Sequence, residues 1–186
     1  QQSEKVTMMD NFGQRVDAHT VRFERVLPGP LEKIWAYLVD GKKRGEWFAS
    51  GDLPAKVGEN FEMYIKHSDL SPNKSPPPEQ FKEMDATGHR ATEKLLALEP
   101  MRRVAYTFGS QHPSESEVEF VLTPEGDKIR LTLTHRKVPD RAYAVNVSGG
   151  WHAHLAILQY KAEGKVPPPF WEVWKETEHT YEKRYD

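Results

Sequence analysis

The first regular pattern in the chain is an alternation. In TVRFERVL, Val21, Phe23 and Arg25 share one side and Arg22, Glu24 and Val26 the other, the two-residue period of a strand. The arginine therefore sits within the apolar side. PGP then interrupts, and Pro30 suits a first helical position because it has no N–H to waste. Leu31, Ile34, Trp35 and Leu38 follow at helical spacing, with Gly41 as the residue that ends the helix. KKRGEWF reads as a second short helical turn, pinned by Trp47 and Phe48.

Alternation returns in GENFEMYIKH, where Phe61, Met63 and Ile65 align, in ATEKLLALEP, and in RRVAYTFG, where Val104, Tyr106 and Phe108 align. The clearest hairpin is SEVEFVLTPEGDKIRLTLTHR: Val118, Phe120 and Leu122 lead into a PEGD turn, and Ile129, Leu131, Leu133 and His135 return on one face. Residues 68–81, rich in Pro and Ser, read as a long loop that could act as a lid. The period then changes. NVSGGWHAHLAILQYKAEGK predicts a helix with Trp151, Leu155, Leu158 and Ala162 on one stripe and Asn146 or Ser148 as its cap. KVPPP interrupts, and FWEVWKETEHTYEKRYD resumes helically with Phe170, Trp174, Thr177 and Tyr181 in line. Trp171 and Tyr185 fall off that line, so they are expected either at the surface or against a second copy, the basis for expecting a homodimer.

A run of antiparallel strands followed by one long helix predicts an α+β fold, in which that helix covers a face of the sheet. Residues 1–19 are polar and patternless and are expected to be flexible. Residues 20–186 then form one domain, with a helical extension from about 167. Composition narrows the function classes. The net charge of −2 offers no basic face for nucleic acid. There is no cysteine, which removes disulfides, thiolate nucleophiles and thiolate-bound zinc and suits a cytoplasmic location. No apolar run reaches membrane-span length, and QQSEKVTMMDNFGQ is too polar for a signal peptide.

RFERVLPGPLEKIWAYLVDGKKRGEWF, KVGENFEM, LLALEPMRRVAYTFG, EVEFVLTPEGDKIRLTLTHR and SGGWHAHLAILQYKAEGK, in this order, resemble the helix-grip (START-like, SRPBCC) superfamily. The branch they are most similar to is named for the activator of the heat-shock protein 90 ATPase. The resemblance runs from about Thr20 to the end. It implies a curved antiparallel sheet, as in the birch-pollen allergen, wrapped around a long C-terminal helix with a hollow between them. Departures from the family pattern include Gly58-Glu59 where two glycines are usual, a longer Pro-rich loop, and the KVPPP break.

The leading expectation is binding of a small, largely apolar molecule. Its walls would be Phe23, Trp35, Phe61, Met63, Tyr106, Phe108, Phe120, Leu131, Leu133, Trp151 and Leu155; filled instead of hollow, the same residues are core. Arg25 and His135 lie in phase with apolar faces. Each must find a partner, reach water at the end of the sheet, or orient a polar ligand group with Glu93 or Tyr106 nearby. Two other roles stay open: a co-chaperone-like partner, and a cyclase or hydrolase using a cavity histidine such as His135, or His89. His152 and His154, two apart on a helix, point about 200° apart and cannot share a metal ion. No G-x-S-x-G elbow or phosphate-cradling glycine loop occurs, and no cofactor is expected.

Overall fold

The computed structural model describes residues 11–109 and 115–186. Strands β1 (Gln14–Asp17), β2 (Thr20–Pro28), β3 (Asn60–Ile65), β4 (His89–Glu99), β5 (Arg103–Phe108), β6 (Ser116–Glu125) and β7 (Lys128–Arg136) form one sheet in the order β1-β2-β7-β6-β5-β4-β3. Every neighbouring pair is antiparallel. The register places Phe23 opposite Leu133 and Leu133 opposite Phe120, so the apolar faces read from the sequence form one continuous surface. The other face carries exposed ion pairs such as Arg130 with Glu125 and Glu24, each contributing little to stability.

The N-terminal expectation needs correcting where residues are described. Gln14–Asp17 pairs with β2, and the Gly13 N–H donates to the Tyr181 hydroxyl at 2.9 Å. Ladder hydrogen bonds hold this edge strand, so it shows no apolar alternation. The expectation for residues 1–10 falls outside the described residues.

Two short helices follow β2, α1 (Leu31–Val39) and α2 (Gly41–Arg44). Pro30 is the residue before the first turn. Gly41 does not end α1 but opens α2, whose cap is Asp40, accepting from the Lys42 and Lys43 N–H groups. A glycine is required there by close approach: a Cβ would lie 2.8 Å from the Gly51 carbonyl carbon and 2.6 Å from an Asp52 carboxylate oxygen. Trp47 is fully buried, and its indole N–H donates to the Tyr37 carbonyl at 2.7 Å. The loop after β3 is more structured than its composition predicts. It contains single 3₁₀ turns at His67–Leu70 and Glu79–Phe81 and then helix α3 (Lys82–Thr87).

The long helix α4 runs Arg141–Ala162, its cap six residues before the expected Asn146. Asp140 is the cap, its carboxylate accepting from the Tyr143 N–H at 2.8 Å. Ser148, the other expected cap, lies inside the helix with its hydroxyl 2.9 Å from that of Tyr185. The stripe Trp151, Leu155, Leu158 and Ala162 is buried, but so are His152, Ala153, His154 and Ile157. A helix buried on all sides must be covered on both faces. The sheet covers one; α5 (Phe170–Thr177) and α6 (Thr180–Arg184) fold back over the other. This corrects the reading of the tail: Trp171 is 2% and Tyr185 3% exposed, both buried within their own chain. The Arg141 guanidinium donates to the Glu182 and Tyr185 carbonyls, fastening the end of the tail to the start of α4. Among the described residues no helix is long and apolar enough to cross a membrane.

Candidate functional site

The concave side of the sheet is not hollow throughout. In its middle Phe120 packs edge-on to Trp47 and Trp151, with centroids 6.1 and 5.9 Å away, and lies 5.9 Å from the Tyr106 ring. Space opens at one end, as a partly open cavity of about 330 Å³. Its floor is the far half of the sheet: Met63 and Ile65 from β3, His89, Ala91 and Glu93 from β4, and Phe108 from β5. One side is the first half of α4, with Tyr143, Val147, Trp151 and His154. Phe48 closes the inner end. The roof comes from the two segments of least regular pattern: His67, Phe81 and Met84 from the loop after β3, and Phe170, Trp171 and Trp174 from α5.

The loop and the tail hold each other. Phe81 stacks on Trp171, centroids 5.4 Å apart and planes 13° from parallel, and meets Trp174 edge-on. Ser71 Oγ and Asn73 Nδ2 both donate to the Pro167 carbonyl, at 2.7 and 3.2 Å. Lys175 Nζ donates to the Pro76 carbonyl at 3.1 Å. The proline-rich segment is therefore strapped to the tail above the cavity.

Of the eleven residues anticipated as walls, Met63, Phe108 and Trp151 line the cavity. Phe23, Trp35, Phe61, Tyr106, Phe120, Leu131, Leu133 and Leu155 point inward as expected but pack as core. Arg25 lies away from the cavity. It is 4% exposed, donates to the Glu24 carbonyl at 2.7 Å, and sits beside the Phe23 ring; burial lowers its pKa to about 10.

His135 is fully buried rather than at a wet end of the sheet, and its bonds fix its tautomer. The Trp151 indole can only donate, and it does so to His135 Nδ1 at 2.9 Å. The proton must then be on Nε2, which donates to Ser116 Oγ at 2.7 Å. Ser116 donates onward to the Phe108 carbonyl at 2.8 Å, leaving the Tyr143 hydroxyl, 3.0 Å away, to donate to Ser116. Both nitrogens of His135 are used inside the protein, and burial pushes its pKa down to about 3. It orients Trp151 and, through Ser116, Tyr143, both on the cavity wall.

The histidines that do reach the cavity are others. His154 Nδ1 is 2.9 Å from the Trp47 carbonyl, so its proton is on Nδ1 and Nε2 carries a free lone pair. The His67 ring lies 5.4 Å from that of His154, between Phe170 at 4.6 Å and Trp171 at 4.9 Å. Burial keeps both neutral, His154 pushed down to about 3 and His67 to about 4, and each of their charged forms would also repel a neighbouring histidine. His152 points the other way, to the Tyr181 hydroxyl at 2.8 Å. Among the described residues no group of three or more His, Asp or Glu could hold a metal ion. Glu93, 2% exposed, accepts from Thr107 Oγ1 and the Gly109 N–H at 2.8 and 3.1 Å.

Sequence reasoning did not place His67, Phe81, Met84, Phe170 or Trp171 at a site, because none belongs to a strand face or to the α4 stripe. The available signal was the pairing of an unusually long proline-rich loop with an aromatic-rich tail, two segments needing something to cover.

A curved antiparallel sheet gripping one long helix, with a cavity at one end, defines a helix-grip protein. Residues 28–162 match the family model described as activator of Hsp90 ATPase homolog 1-like protein, and the chain belongs to that family. It is similar to a Bordetella parapertussis protein known from a solution NMR structure: 43% identity, 94% of this chain and 91% of that one covered, TM-score 0.80. Similar in fold are CalU16 from Micromonospora echinospora (21% identity, 94% of each chain, TM-score 0.65) and DynU16 from the dynemicin biosynthetic locus (18%, 83% of this chain and 50% of that one, 0.61). No curated protein matches the chain.

Proposed function

We propose that this protein binds a small, largely apolar, ring-bearing molecule in the cavity between the far half of the sheet, α4 and the loop–tail roof. The observation that supports this reading is an aromatic enclosure of about 330 Å³ next to a solid core. A side of the interior that could have been filled is left open, at the lower end of the roughly 300–1,000 Å³ usual for ligand pockets. Affinity would come from apolar burial at about 25 cal/mol per Å². The rings of Phe81, Trp171 and Trp174 on its lining would favour an aromatic guest over a flexible chain.

Catalysis by a cavity histidine is the weaker reading. His154 and His67, with pKa values near 3 and 4, are poor general bases at neutral pH, where a value near the working pH serves best. The test is native mass spectrometry of protein purified from its own host, with titration of bicyclic aromatics against tryptophan fluorescence. Trp151, Trp171 and Trp174 line the cavity and would report occupancy. The expected result is a co-purified small molecule or saturable quenching. A clean apo mass with no response across lipid and polyketide panels would sink the proposal.

A further inference from the structure

We infer that the cavity selects an aromatic ligand bearing a hydroxyl group, which donates its hydrogen bond to Nε2 of His154; this rests on the binding role proposed above. The donor and acceptor pattern of the wall supports it. His154 Nε2 is an acceptor without a protein partner among the described residues, because the ring's only proton is committed to the Trp47 carbonyl. Beside it His67, its ring 5.4 Å away, has no hydrogen bond on either nitrogen among the described residues. Next to His67 lies the Trp171 indole, whose buried N–H has no partner among the described residues. Two bare acceptors, His154 Nε2 and one nitrogen of neutral His67, thus sit beside two unspent donors, the other His67 nitrogen and the Trp171 indole, at the roof end of a largely apolar enclosure. Unmet polar groups in such a place are costly, and meeting them favours whatever does so.

A hydroxyl is the smallest group that both donates and accepts. A carboxylate fits poorly. Among the described residues no lysine or arginine lines the cavity, Glu93 does, and neutral His154 offers an anion a lone pair. An ether oxygen accepts only, and leaves Nε2 unpaired. The rings of Phe81, Trp171 and Phe170 around this corner call for the hydroxyl to be carried on a ring, as in a phenol or naphthol.

The test compares four probes of one shape by calorimetry on the full chain: 1-naphthol, naphthalene, 1-methoxynaphthalene and 1-naphthoate. Naphthol is expected to bind about tenfold tighter than naphthalene or the methyl ether, the factor that corresponds to about 1.4 kcal/mol. In His154→Phe that preference is expected to vanish while naphthalene still binds. Should that variant fail to fold, the wild-type protein gives an independent readout. The ¹⁵N resonance of His154 Nε2 should move on adding naphthol and stay put with naphthalene. Equal affinities for naphthol and naphthalene, or an unmoved Nε2 resonance, would overturn the hydroxyl inference and leave the cavity reading standing. Tighter binding of naphthoate would replace it with an anion site. Failure of all four to bind would overturn both.

Discussion

Four histidines shielded from water, with His135, His152 and His154 buried and His67 partly so, divide between two ends of one interior. His135 and His152 belong to the solid end: the first is bonded on both nitrogens, and the second reaches Tyr181, which also takes the Gly13 N–H. His154 and His67 belong to the open end, where one ring nitrogen of the four is engaged among the described residues. All four are neutral for the same reason, burial, with pKa values pushed to about 3 or 4. Burial and charge state therefore do not separate a structural histidine from one that faces a ligand. What sets His135 apart is that the chain satisfies both its donor and its acceptor; among the described residues His152 and His154 are each held through Nδ1 alone, and they differ in that His154 lines the cavity and His152 does not.

The largest test of the comparison is acid. A histidine whose folded pKa lies below its unfolded value, about 6.5, binds its proton more readily when unfolded. The stability tied to keeping it neutral is complete above pH 6.5 and is lost as pH falls from 6.5 toward 4 for His67 and His152 and toward 3 for His135 and His154. Each such group costs about 1.4 kcal/mol per pH unit within its window. Urea midpoints should thus fall steeply as pH drops from 6.5 toward 4. Titration by NMR refines this: His135 and His152 should stay neutral until the chain unfolds. A folded-state titration of His135 above pH 5 would mean that burial does not hold its ring neutral.

The next effect is mutational. His135→Phe keeps ring volume but strands the Trp151 indole N–H in the core, where an unmet donor costs roughly 1–3 kcal/mol. His154→Phe removes one bond to the Trp47 carbonyl and empties no core position, for about 1 kcal/mol. Chemical denaturation of the two variants should rank them in that order. The reverse order would mean that the open end, not the closed one, carries the polar network the fold depends on.

The fold was legible because its signals are periodic. Phe23 through Leu27 on β2, the β6–β7 hairpin and the α4 stripe each obey a simple spacing, and each faces inward as read. The site was less legible because alternation tells which way a side chain points, not whether a neighbour fills the space in front of it. Phe120 and Phe108 have the same in-phase reading, yet one is core and the other wall: Trp151 touches both rings, and Trp47, from the turn after α2, covers Phe120. Arg25 and His135 are polar residues in apolar phase; His135 is bonded on both nitrogens, while Arg25 donates to the Glu24 carbonyl and lies beside the Phe23 ring. Trp171 was misplaced because the tail's outer side, judged on one helix alone, is covered by a loop whose proline-rich sequence has no period at all.

The smallest expected effect concerns that roof. Phe81 is partly exposed, so Phe81→Ala should cost little stability, on the order of the 0.5–1.5 kcal/mol carried by its ring contacts with Trp171 and Trp174. Yet it removes the face that stacks over the cavity. If the loop is part of the binding surface, naphthalene affinity should fall several-fold while the urea midpoint barely moves, and dissociation should speed up more than association slows. Ser71→Ala, which loosens the strap at Pro167 without touching the wall, separates the two ways this could happen. A matching rise in dissociation rate there means the roof retains its guest by staying closed, whereas an unchanged rate means that the Phe81 ring acts by contact alone. Unaltered affinity in Phe81→Ala would confine the site to the sheet and α4 and leave the loop as a cover over residues that bind without it.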